Sequence, residues 1–150
     1  RPGLSHPPHA VRDELERTLT MADILIVEDE PSVRDFLRLT LTRAGHECRE
    51  AGGPRRALEL AQERWPDLVL IDLTLPERDG WMLWEDLRTR SQGQALRVVL
   101  CGAAISDAAG AHALELGASA ILRKPIRPQK LLATILAALT QHSHAAEEPR

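Results

Sequence analysis

Cysteine is scarce in these 150 residues. Cys48 and Cys101 are the only two, too few and too far apart for a disulfide framework or a zinc site. Both are expected to be free, buried thiols in a reducing compartment. Long apolar runs are missing too: none approaches the roughly 20 residues that span a bilayer, and the N-terminus lacks the apolar core of a signal peptide. No block of one charge sign stands out, and 22 acidic against 19 basic residues leave a formal net charge of −3. That balance speaks against a nucleic-acid footprint and against a polybasic membrane patch. A cytoplasmic protein is the expectation, with partners to be read from its site. The chain does have 43% hydrophobic residues, enough for one domain around one sizeable core.

Residues 1–20 form a leader of different composition. Pro2, Gly3, Pro7 and Pro8 stand among His6 and His9, and Val11, Leu15 and Leu19 then recur at the spacing of a short helix. From Met21 strands alternate with amphipathic helices. A strand over 23–27 precedes a helix with Pro31 in its first turn, Ser32 as candidate cap, and Val33, Phe36, Leu37, Thr40, Leu41 and Ala44 on one face, stopped by Gly45. A weaker strand over 46–51 leads to a helix over 54–65 that carries Ala57, Leu58, Leu60 and Ala61 and ends before Pro66. Strand three covers 67–72, helix three 81–90 and strand four 96–101. The fourth helix, 106–116, is Ala-rich, interrupted by Gly110 and closed by Gly117. Strand five covers 118–122. The fifth helix, 128–141, shows Leu131, Leu132, Ile135, Leu136 and Leu139 as a core-facing stripe. Residues 142–150 read as a solvated tail, which also accounts for His142 and His144 better than a metal site does.

Five strand–helix repeats with short connections predict an α/β fold: a doubly wound, five-stranded parallel sheet with five helices on both faces. A flavodoxin-like order 2-1-3-4-5 sets strands one and three side by side at the switch point, where ligands of open sheets bind. Three strand-like runs end in charge there. Glu28-Asp29-Glu30 follows the first, Asp72 ends the third and Lys124 follows the fifth. Carboxylates gathered at one edge repel one another unless a cation intervenes. The ligands on offer are oxygens from Asp29, Asp72, Glu28 through water and a loop carbonyl near Thr74, which favours Mg²⁺, or Mn²⁺, over zinc. Such a cation would neutralise incoming phosphate oxygens and let a carboxylate act as nucleophile in phosphoryl transfer, with Lys124 adding a positive point charge. The bland reading, solvated strand-end acids, suits a single Asp but not three strand ends together with Pro76, Asp79 and Gly80 in the following loop. Trp81 and Trp84, three apart on a helix, read as packing.

These motifs resemble a known family. ILIVEDE at 24–30, DLVLIDLTLPERDG at 67–80, LELGASAILRKPI at 114–126 and RPQKLLATIL from 127 are similar to the receiver domain of two-component response regulators, over about residues 21–141. The resemblance implies that Asp72 is the phosphoacceptor and Asp29 the direct metal ligand. Glu28 would be the second acidic residue, acting through water, Thr74 a ligand through its carbonyl, and Lys124 the phosphate-contacting lysine. It also implies Mg²⁺, a cis bond before Pro125 and a phosphohistidine donor on a sensor histidine kinase or histidine phosphotransfer protein. The chain would then be a self-phosphorylating acceptor, not an enzyme with a separate catalytic domain. Neither nucleic acid nor membrane is an expected direct partner. No DNA-binding segment follows residue 141 in this sequence, so output is expected through a protein contact, an oligomerisation change or phosphate relay, with a downstream partner that the residues do not identify. A homodimer through the fourth helix, fifth strand and fifth helix is a further contact the resemblance allows.

Two switch positions depart from the family pattern. The hydroxyl residue expected at the end of strand four falls on Gly102 by the usual spacing from Lys124, or on Cys101 with a one-residue shift. The aromatic often found three before the lysine is Ile121, and the chain has no tyrosine. Two readings follow: a phosphoaccepting receiver, or a degenerate receiver serving as a phosphorylation-independent interaction module. A third, a phosphoester hydrolase, lacks the second Asp that would act as general acid, because that position holds Thr74.

Overall fold

A computed structural model describes residues 21–74, 80–91 and 93–141. The proposed leader helix, the loop residues Pro76 and Asp79, and the tail histidines His142 and His144 lie outside the described residues. The elements are β1 Asp23–Val27, α1 Pro31–Arg43, β2 Glu47–Ala51, α2 Pro54–Glu63, β3 Leu68–Asp72, α3 Gly80–Arg90, β4 Arg97–Gly102, α4 Asp107–Glu115, β5 Ala120–Arg123 and α5 Pro128–Thr140. The strands form one five-stranded sheet in the order β2-β1-β3-β4-β5, as the pattern predicts, and every pairing is parallel.

Strand periodicity explains the two layers. Leu25, Val27, Val69, Ile71, Val98 and Leu100 point to one face, where α2 and α3 cover them with Ala57, Leu60, Ala61, Leu83, Trp84 and Leu87. Ile24, Ile26, Leu68, Leu70, Val99 and Cys101 point to the other, against Leu37 and Leu41 of α1 and Leu131, Ile135 and Ala138 of α5. The three central strands are aliphatic at nearly every position because both of their faces are buried. Trp81 and Trp84 pack as expected, with ring centroids 6.0 Å apart and tilted by 37°.

Several local expectations change. Ser32 is the second residue of α1, past the capping position; Glu30 holds that place and makes no side-chain cap bond. Ser106 does cap α4, accepting the Ala109 N–H at 3.1 Å. Ala44 is exposed at the end of α1, and Gly45 beyond it takes φ +101°, a conformation that favours glycine. Leu136 is 47% exposed while Ala138 is buried, so the stripe on α5 is narrower than its leucines suggest. Cys48 is only half-buried, because β2 is an edge strand; Cys101 is fully buried. Helix α2 stops at Glu63, two residues early, and Arg64 turns extended, which brings its Nε to 2.8 Å from Asp23.

Candidate functional site

Register delivers the site. Val27 of β1 lies opposite Ile71 of β3, so the residues that follow, Glu28 and Asp72, reach the carboxyl edge side by side. Glu28 is held by its own amide, which donates to the Ala51 carbonyl at 3.1 Å. At the far side, the Lys124 amide donates to the Gly102 carbonyl at 2.9 Å, which aligns the end of β5 with that of β4. The Lys124–Pro125 peptide bond is cis. Lys124 Nζ reaches inward to Glu28 Oε1 at 2.5 Å and to Asp72 Oδ2 at 3.2 Å.

Gly80 positions Asp72 from behind. A Cβ at that position would stand 2.5 Å from the Asp72 carbonyl oxygen and 2.8 Å from an Ile71 methyl, so only glycine lets α3 begin against the end of β3. The Gly80 amide in turn donates to the Leu73 carbonyl at 3.2 Å. In the sequence this glycine reads as loop punctuation; its close approach to the site backbone is visible only in three dimensions.

Glu28 is fully buried and Asp72 is 1% exposed, whereas Asp29 is exposed. One carboxylate oxygen from each lies within 4.8 Å of the others. Burial, reinforced by the neighbouring Asp72 against the pull of Lys124, pushes the Glu28 carboxyl up to about 8. Asp72 moves the other way. Burial raises it, but a hydrogen bond from Glu28, the Thr74 amide and hydroxyl, and the Lys124 charge together hold it below the ordinary Asp value. Burial alone would lower Lys124, yet Glu28 and Asp72 overcome that and raise it. Two carboxylates thus share one ammonium beside a third, Asp29, and a proton on Glu28 makes up part of the shortfall. The donor set is all hard oxygen, the kind Mg²⁺ or Mn²⁺ takes.

The structure also locates the atypical positions. Cys101 stands opposite Asp72 in the β3–β4 register and packs into the core on the α1/α5 side; burial, with Asp72 and Glu28 nearby, pushes its thiol up to about 12. Gly102 is covered by Ile105, whose side-chain carbons lie 3.3 and 3.4 Å from where a Cβ would be. Ile121 is half-buried against the opposite core layer. Two contacts had no signal in the sequence: Arg34 donates to the Glu28 carbonyl at 2.9 Å, and the Thr74 hydroxyl donates to Asp72 Oδ1 at 2.9 Å.

Residues 24–136 match the family described as response regulator receiver domain. The chain belongs to that family. It is similar to the KDP operon transcriptional regulatory protein KdpE of Escherichia coli K12, with 39% identity over 123 residues, which is 82% of this chain and 53% of KdpE. A second relative, an uncharacterized 14.6 kDa protein of Leptolyngbya boryana, is 33% identical over 77% of this chain and 88% of its own length. Among solved structures, the chemotaxis response regulator CheY4 of Vibrio cholerae superposes with TM-score 0.73 at 30% identity, covering 79% of this chain and 98% of CheY4. The BeF3-activated N-terminal receiver domain of Klebsiella pneumoniae RstA gives 0.70 at 35% identity, covering 79% and 99%. This receiver domain spans about half the length of KdpE and of the other transcriptional regulators it matches. Among the described residues no helix is long and apolar enough to cross a membrane.

Proposed function

We propose that this receiver, over residues 21–141, is a phosphoacceptor in a two-component relay and that Asp72 carries the phosphoryl group. The observation that carries the reading is the convergence of Glu28, Asp29, Asp72 and Lys124 from three strand ends on one small, mostly buried volume. In the transfer, an Asp72 carboxylate oxygen bonds to phosphorus as the P–N bond of a phosphohistidine breaks. The electron pair leaves with the imidazole, which takes up a proton. The donor is a histidine kinase or a histidine phosphotransfer protein, and the compartment is the cytoplasm.

Asp29 and Asp72 would hold Mg²⁺ directly, with the Thr74 carbonyl as a third ligand and Glu28 contributing through water. The cation supplies charge neutralisation of the phosphate oxygens. The chain's own residues do the rest. The hydrogen bond from Glu28, the Thr74 amide and hydroxyl and the Lys124 charge keep Asp72 ionised against its burial, and the Thr74 bonds hold Oδ1 in place. Lys124, already between Glu28 and Asp72, is placed to exchange a carboxylate for a phosphoryl oxygen. A protein contact delivers the output.

Incubation with acetyl phosphate and Mg²⁺, followed by intact mass measurement, tests the reading. One added phosphoryl group is expected. No adduct, under conditions that label a control receiver, overturns it.

A further inference from the structure

The chain lacks a hydroxyl at Gly102 and at Cys101, yet a side-chain hydroxyl does touch the phosphoacceptor. Thr74 lies two residues beyond Asp72. Its amide donates to Asp72 Oδ1 at 3.0 Å, and its hydroxyl donates to the same oxygen at 2.9 Å. The other oxygen, Oδ2, takes Lys124 at 3.2 Å. The two oxygens are therefore distinguished: Oδ1 is tied twice to its own turn, and Oδ2 faces the lysine. Thr74 itself is exposed, so its hydroxyl stands between solvent and a carboxylate that is 1% exposed.

One amide bond leaves a carboxylate free to rock about its Cβ–Cγ bond, because terminal carboxylate torsions are broad. A second donor on a β-branched, rotationally stiff side chain narrows that freedom. Reaction geometry is sensitive to small misplacements of the attacking atom. We propose that Thr74 is a positioning residue for phosphoryl transfer, its hydroxyl pinning Oδ1 so that the Asp72 carboxylate stays oriented toward Lys124 and the incoming phosphorus. The proposal rests on Asp72 being the acceptor and adds a role for a side chain whose carbonyl alone figures in metal binding.

The opposite effect is also physically available, which makes the sign informative. Removing a hydrogen-bond donor makes a carboxylate more basic and more nucleophilic; if orientation did not matter, losing the hydroxyl would speed the reaction. The test compares labelling rates by acetyl phosphate, whose P–O bond breaks as acetate leaves with the electron pair, in wild type, Thr74→Val and Thr74→Ser. Valine keeps the shape and the backbone carbonyl but removes the hydroxyl, while serine keeps the hydroxyl. Valine is expected to label about tenfold more slowly, serine at close to the wild-type rate, and the Mg²⁺ concentration for half-maximal labelling is expected to be the same in all three. A valine variant as fast as wild type or faster overturns the proposal, as does a serine variant as slow as valine. A parallel loss of Mg²⁺ response in the valine variant overturns it as well, by assigning the effect to the metal. Failure of the wild type itself to label would instead strike the preceding assignment of Asp72, so the two failures are distinguishable.

Discussion

The two edges of the sheet make opposite use of charge. At the amino edge, Asp23 of β1 accepts Arg49 Nε at 3.1 Å on Oδ1 and Arg49 Nη2 at 3.0 Å on Oδ2, with Arg64 Nε at 2.8 Å on Oδ2 as well. Arg49 also donates to the carbonyls of Leu60 at 2.6 Å and Arg64 at 2.7 Å, and Asp67 takes the Asp23 amide at 2.7 Å. Each carboxylate there meets a guanidinium or a backbone amide. At the carboxyl edge, the same strand β1 leads into Glu28 and Asp29, which cluster with Asp72, and Lys124 pairs with Glu28 and Asp72. The amino edge is satisfied and ties α2 to the sheet. The carboxyl edge is short of positive charge and holds a buried acid pushed up to about 8. A structural charge cluster closes its own bonds, whereas a reactive one leaves a deficit for a ligand to fill.

That contrast can be broken at either edge. The largest effect is expected from Asp72→Asn, which should abolish phosphoryl labelling while the fold persists, since the near-isosteric amide keeps an oxygen for the Thr74 donors. Arg49→Ala should do the reverse. With side chains only 14% and 15% exposed, Asp23 and Arg49 form a nearly buried pair. Truncation leaves the carboxylate to Arg64 alone and removes the guanidinium that bridges it to the end of α2, so urea unfolding should show a loss of about 3 kcal/mol with labelling intact. Slower labelling at undiminished fold would erase the difference between the edges.

Gly80→Ala should affect both stability and chemistry. The added methyl overlaps the Asp72 carbonyl oxygen, and backbone must shift to admit it. A loss of about 1–3 kcal/mol is expected, together with slower labelling, whereas a methyl that the loop absorbs at no cost would show the approach to be slack. The carboxyl edge can also be probed by pH. Glu28 is raised in the fold from 4.5 to about 8, so its contribution to stability is fully present below pH 4.5 and is lost as pH rises toward 8. His46, lowered by burial, contributes in the opposite sense, losing stability as pH falls from its unfolded value of 6.5. The difference between wild type and Glu28→Gln isolates the carboxyl: the metal-free wild type should lose stability relative to the variant between pH 4.5 and 8, and Mg²⁺ at pH 8 should recover it. Parallel curves would place the shared proton elsewhere.

Much of this was legible in the residues, and the rest failed for identifiable reasons. The central strands announce themselves because burial on both faces leaves little but aliphatics between Ile24 and Val27 and between Leu68 and Ile71. Their ends stand out because Glu28, Asp72 and Lys124 interrupt that pattern abruptly. Edge strand β2 is less readable: Glu47, Arg49 and Glu50 dilute it, and Cys48 looks more buried in the sequence than it is. The amino-edge network was not readable at all. It depends on the register of Asp23 opposite Glu47 and on α2 ending early enough to swing Arg64 back. The Thr74 hydroxyl and the Gly80 contact depend on side-chain rotamer and on backbone approach, neither of which leaves a periodic trace. Leu136 misleads because a leucine at helical spacing on α5 lies just outside the narrow face that meets the sheet.

Mapping of a phosphoryl adduct after exposure to acetyl phosphate and Mg²⁺, in wild type and in Asp72→Asn, bears most directly on the charge-deficient edge as the reactive one. One adduct on the wild type, located at Asp72 and absent from the variant, is the expected result. An adduct of equal yield on both proteins, or on neither beside a labelled control receiver, would contradict it.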